Sequence, residues 1–481
     1  MSALTVHKSL SRFGIFTIRQ VKEDLRMDFR SRLILVGVAT LFTTASVDAQ
    51  QPVDNSFTGL ALVSLEQARS AGDSVTEAEA YGRALGMALD GIRSDPENSQ
   101  SHAQAGQAYI GLGRYEEAVT AFDTAVELWP DYLNETMSYR ENGWVNSYNK
   151  AIEYLDSDED MALALMTKAN VLIQERPEAY LSIGSILSNK GDTEGALESF
   201  MEVVRAVEQP PRREREEEVL TRWATYRTTA LLNIGNLYLN LDRPADAIDA
   251  YQTVLDTDPD HPQATSNMAI ALAMGGEGAA ALSMYEEMME NPASSEFDFF
   301  NAGVGFYQAE VWDRAAVAFM GVIERNPMQR DALQNMSQSL LSSKQYEALL
   351  PYSSQLLEMD PQNDYAFRLH AQALVQTGST DEAVALMEEM ETLTFLVDNL
   401  RIVPMGDTGA RVEGVVVNKT LEEGASVSLR FHFFDRTGAE VGTGDVEVVT
   451  GGVDVAMAFQ LEHSSEAGVG GYSYEVIESD Q

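Results

Sequence analysis

The 481-residue sequence contains no cysteine. That removes disulfides, thiolate nucleophiles, iron–sulfur clusters and cysteine-based zinc sites together. It also leaves nothing for a bacterial lipoprotein to acylate at its N-terminus. Positive charge is scarce: 33 Lys and Arg stand against 75 Asp and Glu, a formal net of -42. Only Lys8, Lys22, Lys150, Lys168, Lys190, Lys344 and Lys419 are lysines. So acidic a chain repels phosphate backbones, which excludes nucleic-acid binding as its main role. Excess carboxylate with little lysine suits salty surroundings, where screening over about 10 Å or less blunts self-repulsion.

Recognisable chemistry is missing as well. His7, His102, His261, His370, His432 and His463 are scattered, without metal-ligand spacing. No His-Glu-x-x-His, Gly-x-Ser-x-Gly or phosphate-cradling glycine loop occurs. Ser147-x-x-Lys150 falls in a helical stretch without companion motifs. The runs from Asp156 and Asp256 would need Gly sixth and Glu twelfth to bind calcium; they carry Met161 and Thr167, or His261 and Asn267. The expectation is a non-enzyme with no metal and no cofactor.

Hydrophobic residues make up 44% and charged residues 22% of the chain, an ordinary globular composition. Its length suggests about three domains. Near the N-terminus, Arg30 and Arg32 precede an uncharged run from Leu33 to Val47, followed by Val47-Asp48-Ala49. A basic flank, a short apolar core and small residues at a cleavage position describe a secretory signal peptide. The run is shorter than the roughly 20 residues that span a bilayer, so no integral membrane span is expected in the mature chain. Residues 1–49 are expected to be removed, with Met27 as an alternative start. Loss of that segment takes seven Lys and Arg and four Asp and Glu, leaving a net of -45. The expected location is periplasmic or extracellular.

The middle of the chain repeats with a period of 34. Ala247, Ala281 and Ala315 recur at that spacing, as do Tyr251, Tyr285 and Phe319. Pro96 and Pro130 are one period apart, and so are Pro327 and Pro361. Between these marks the text reads helix, turn, helix. Small residues let two helices approach, an aromatic fills the space between them, and proline stops the second.

The order Gly, Tyr, Ala, aromatic, Pro at Gly106, Tyr109, Ala118, Phe122 and Pro130 resembles the tetratricopeptide repeat. It returns at Gly235, Tyr238, Ala247, Tyr251 and Pro259, and at Gly303, Phe306, Ala315, Phe319 and Pro327. Gly184, Ala196 and Phe200 mark another unit. The resemblance implies an α-solenoid of helix-turn-helix repeats at 57–204, with an irregular pair at 131–176, and a second array at 228–395. A charged linker or helix insertion at 205–227 interrupts them and reads as a solvated helix start.

From residue 396 to 481 the period becomes two. Val427, Leu429, Phe431 and Phe433 alternate with Ser426, Ser428, Arg430 and His432, the mark of a half-buried strand. Strands also read at 410–418, 440–449, 453–461 and 471–478. They predict a small all-β, immunoglobulin-like sandwich with its own core. Gly414-Val-Val-Val-Asn418 followed by Phe431-His-Phe-Phe-Asp435 resembles the FxLYD-type modules of bacterial envelope proteins. That resemblance implies a fold and names no ligand.

A solenoid offers a long surface for another polypeptide, and the family implies that the first helix of each repeat lines it. Asn233, Asn267, Asn301 and Asn335 recur every 34 residues on those helices, with Asn236 nearby. A primary amide both donates and accepts, so each could pair with one peptide unit of an extended chain. Phe297, Phe300 and Tyr307 are expected beside them as anchors. Leu232 and Phe297 stand where some family members carry clamp lysines, which disfavours capture of a C-terminal carboxylate. The expected function is a protein-binding scaffold of the bacterial cell envelope or the space outside it, with a protein or peptide partner. The alternative is an assembly factor acting through the β-sandwich; a more distant one is an enzyme with an unrecognised site.

Overall fold

The computed structural model describes residues 54–210, 215–406 and 408–477, so the expected signal peptide lies outside the described residues. The chain splits into two units, Met1–Leu241 and Asp242–Gln481. The first unit holds α1 (Ser56–Arg69), α2 (Ser74–Ser94), α3 (Ser99–Gly111), α4 (Tyr115–Leu128), α5 (Leu133–Tyr154), α6 (Glu159–Leu172), α7 (Pro177–Asn189), α8 (Thr193–Glu208) and α9 (Glu217–Asn240). The second holds α10 (Pro244–Leu255), α11 (Pro262–Met274), α12 (Gly278–Glu290), α13 (Glu296–Gln308), α14 (Trp312–Arg325), α15 (Arg330–Ser342), α16 (Tyr346–Met359), α17 (Asp364–Gln376) and α18 (Thr380–Glu391). Among the described residues there are 18 helices, nine in each unit, and within each unit they stack as antiparallel pairs, the α-solenoid architecture the sequence led us to expect.

Local chemistry sets the helix ends. Asn55 and Thr58 form a reciprocal capping box at the start of α1, and Ser295 and Asp298 form another at α13. Proline occupies the first turn of α7, α10 and α11, where no amide hydrogen is needed. In the second unit the turn within each pair closes on a left-handed residue: Asp242, Gly276, Glu310, Lys344 and Gly378, each 34 after the last.

The marks that repeat in the sequence are the core. Ala247, Ala281 and Ala315 are buried, as are Tyr251, Tyr285 and Phe319. Gly303 is fixed by its neighbour, since a Cβ there would sit 2.7 Å from a ring carbon of Phe319. Within 205–227 the first turn of α9 is exposed at Glu217 and Glu218. Arg215 is largely buried, bonds Glu141 at 2.7 Å and lies 5.6 Å from the Trp223 ring. Trp223 is itself buried and its Nε1 donates to Glu178 at 3.3 Å. An apolar ring and a paired carboxylate therefore hold the Arg215 guanidinium against α5 and α9.

After α18 come β1 (Phe395–Met405), β2 (Gly409–Asn418), β3 (Ser426–Phe434), β4 (Glu440–Val449), β5 (Ala456–Ser464) and β6 (Gly471–Ile477). They make two three-stranded antiparallel sheets, β1-β2-β5 and β4-β3-β6. Val427, Leu429, Phe431 and Phe433 point inward from β3, as their alternation indicated, and meet Val412, Val416 and Phe459 of the other sheet in one core. Asn418 is buried at the end of β2 with its amide spent on Leu421 and Gly451, which ties two loops together. This apolar core is distinct from that of the preceding helices.

Candidate peptide-binding face

The first helices of the second unit, α11, α13, α15 and α17, neighbour one another in that order. Asn267 is 2% exposed and shares a hydrogen bond with the Tyr251 hydroxyl, whose pKa burial pushes up. Asn301 is 5% exposed and its Nδ2 donates to Ser266 Oγ at 2.6 Å. Both amides join one helix to the next. Asn335 is half-buried on α15. Asn233 and Asn236 are half-buried in the first unit, where Asn233 Nδ2 donates to the Thr229 carbonyl at 3.0 Å. Gln104 and Gln107 of the first unit are buried too, bonded to the Thr58 carbonyl and to Arg69.

The aromatic residues are more open. Phe297, in the first turn of α13, is 41% exposed. Phe300 is half-buried and meets Phe319 edge-on, with ring centroids 5.6 Å apart. Tyr307 is half-buried and meets Trp312 edge-on at 4.6 Å. The structure adds Tyr365 of α17, whose hydroxyl donates to Gln338 of α15 at 2.8 Å. Burial pushes the Tyr365 phenol up to about 12, Tyr307 nearby adds to the rise, and Arg330 opposes it. Three successive first helices therefore contribute Tyr307, Gln338 and Tyr365 to one patch. Tyr365 lies two periods after Phe297, so the spacing that picked out the asparagines marks this position as well.

Charge around the patch is one-sided. Residues 242–391 hold 25 Asp and Glu against six Lys and Arg. The five arginines among them have internal partners. Arg243, Arg314, Arg330 and Arg368 pair with Asp246, Glu286, Asp360 and Asp364. Arg325 bonds the Gly321 carbonyl and lies 4.1 Å from the Phe299 ring centroid.

Groups that resemble catalytic pairs are enclosed. Ser353 Oγ lies 2.9 Å from His370 Nδ1, but Ser353 is fully buried and its hydroxyl also bonds the Leu349 carbonyl. Among the described residues no group of three His, Asp or Glu side chains is placed to hold a metal. No described helix is long and apolar enough to cross a membrane.

Tetratricopeptide-repeat models match residues 99–132, 177–206 and 232–295, and a PPR repeat model matches 371–395. The chain therefore carries tetratricopeptide repeats. No curated protein sequence is significantly similar to it. Solved structures similar to it include PilW, described as a widely conserved type IV pilus biogenesis factor. It is 20% identical over 48% of this chain and 98% of its own, with a TM-score of 0.36. YrrB, described as a TPR protein with an unusual peptide-binding site, is 17% identical over 53% of this chain and 97% of its own, at 0.29. A MamA fragment from Desulfovibrio magneticus RS-1 is 15% identical over 34% of this chain and 93% of its own, at 0.30.

Proposed function

We propose that this chain, an array of tetratricopeptide repeats followed by a small all-β region, is a non-catalytic scaffold that holds an extended polypeptide on its first helices. The patch of Tyr307, Gln338 and Tyr365 carries this reading, with exposed Phe297 and half-buried Phe300 on the same array. Rings supply anchors, and the half-buried amides of Asn335 and Gln338, the latter already accepting from Tyr365, can donate to carbonyls along a peptide backbone. Asn267 and Asn301 act behind them by fixing the spacing of the helices. Each polar contact nets about 0.5–1.5 kcal/mol and ordering a peptide consumes much of the sum, so affinity is on the order of micromolar. In this reading the chain works outside the cytoplasm, in the periplasm or beyond, after losing residues 1–49.

The test is affinity capture from the native cell envelope with wild-type chain, Phe297→Ala and Tyr307→Ala, followed by calorimetric titration of the segment recovered. Folded variants that bind at least tenfold more weakly support the reading. Full binding by both would move the site off this face. The assembly-factor reading rests on a different observation: Val449, Val453, Val455 and Met457 are exposed at one end of the β region. Val453→Asp with Val455→Asp would abolish capture in that case and leave it unchanged in ours.

A further inference from the structure

Repeat arrays cover the outer face of each pair with the next, so a terminal pair needs a polar outer face to stay soluble. The last array helix, α18, follows this rule, with exposed Asp381, Glu382, Glu388 and Glu389 around Val384. The first one, α1, does not. Its Ala61 and Leu65 pack with Ala84, Leu85 and Ala88 of α2 and with Ala105 and Ala108 of α3. On its other side Leu60, Leu62 and Val63 are 53%, 47% and 54% exposed. Beside them is Gly59, also exposed, where a Cβ would meet nothing within 4 Å. A glycine inside an exposed helix weakens it; what it offers in return is close approach of another backbone.

Charge decides what can cover this face. Residues 55–65 carry no ionisable side chain. The two charged residues of α1, Glu66 and Arg69, pair with each other at 2.6 Å. The helix is therefore neutral in a chain of net charge -42. A basic partner gains nothing from such a face and would be drawn to the carboxylates elsewhere. An isologous contact sets a surface against itself, so any net charge on it is repelled by its copy. Neutral, apolar and notched, α1 is the surface on which a second acidic copy can settle.

We propose that α1 is the contact of an isologous dimer, in which Leu60 and Val63 of one copy pack over Gly59 of the other. A contact built on one helix pair is small, below about 1,200 Å² in total, so a micromolar dissociation constant is expected. Dimer formation does not depend on the peptide-binding reading, although pairing would give the scaffold two such faces.

Sedimentation equilibrium of the full chain between about 1 and 100 µM tests this. The expected result is a reversible shift from 52.8 kDa to twice that mass. Leu60→Asp with Val63→Asp should weaken pairing at least ~100-fold, because carboxylates then meet across an apolar contact. Gly59→Leu has room in the monomer and strengthens the helix, yet fills the notch; it should weaken pairing at least ~10-fold with the melting temperature unchanged or higher. Wild type that stays monomeric, mass that grows beyond a dimer, or variants that pair as wild type would each overturn the proposal. A full chain that pairs while a chain beginning at Gln50 stays monomeric would overturn it too, and would assign the pairing to residues 1–49.

Discussion

The hydroxyl of Tyr474, on the last strand, donates a 2.7 Å hydrogen bond to Oδ1 of Asp360, at the end of α16. The other carboxylate oxygen of Asp360 accepts from Arg330 at 2.9 and 2.5 Å, and the Gln362 amide donates to Tyr474. Asp360 is 0% and Arg330 12% exposed. Burial works against the Arg330 charge, but Asp360 more than offsets it, so the guanidinium pKa is raised. Burial raises the pKa of Tyr474, and the carboxylate raises it further. The helical array and the β region thus have separate apolar cores and share one buried charged junction.

Breaking that junction from one side leaves an unpaired buried charge. Asp360→Ala should destabilise the second unit by about 3–5 kcal/mol. Tyr474→Phe, which removes both the bond to the carboxylate and the one accepted from the Gln362 amide, should cost about 2–4.5 kcal/mol. Urea denaturation followed by helical circular dichroism measures both. If Tyr474→Phe lowers the midpoint of the β region alone, the junction does not couple the two parts.

The left-handed turns give a second prediction. Glu310 and Lys344 are exposed residues with φ of 60° and 62°, at positions where Gly276 and Gly378 stand in neighbouring repeats. A side chain costs roughly 1–2 kcal/mol in that conformation, and the extra unfolded-state freedom of glycine returns part of it. Glu310→Gly and Lys344→Gly should each stabilise by about 0.5–1 kcal/mol, whereas Gly378→Ala should destabilise by about 1 kcal/mol. Melting curves that rank the variants in the opposite order would refute the assignment.

How far the sequence reveals this structure depends on how far apart the interacting residues lie. Ala281 and Tyr285 were legible as core because the period reports a contact made again in every repeat. Val427, Leu429, Phe431 and Phe433 were legible because alternation reports one face of a strand. Tyr474 and Asp360 are 114 residues apart, and Arg215 and Glu141 are 74 apart; no local pattern links them. The asparagine series was visible while the burial of Asn267 and Asn301 was not. An amide at a repeat position serves a ligand or the next helix equally well, and only the neighbouring hydroxyls of Tyr251 and Ser266 decide between them.

Alkaline pH should unfold the protein in a defined window. Burial raises the phenol pKa of Tyr148, Tyr251, Tyr285 and Tyr472, and takes Tyr132 and Tyr365 to about 12. Unfolded tyrosine titrates near 10. A folded pKa above the unfolded value means the native state holds the proton more tightly. The contribution is therefore complete below about pH 10 and is lost as pH rises toward 12 and beyond. Phenolate absorbance at 295 nm should appear together with loss of helical signal. Smooth ionisation near pH 10 with the helices intact would contradict this.

Salt should have the opposite effect from what surface ion pairs would give. With 75 acidic against 33 basic side chains, most carboxylates have no cation to meet, so long-range repulsion outweighs attraction on the surface. Exposed pairs such as Arg114 with Glu117 are worth little, and Arg330 with Asp360 is buried beyond the reach of screening. Raising NaCl from about 0.05 M to about 1 M shortens the screening length to about 3 Å and removes the repulsion. If that relieves ~2 kcal/mol, the melting temperature rises by about 4–8 °C. Potassium chloride should match sodium chloride at equal ionic strength. A rise seen only with sulfate would point to exclusion of the salt from the surface and not to screening, and a fall in chloride would show that the surface pairs dominate after all.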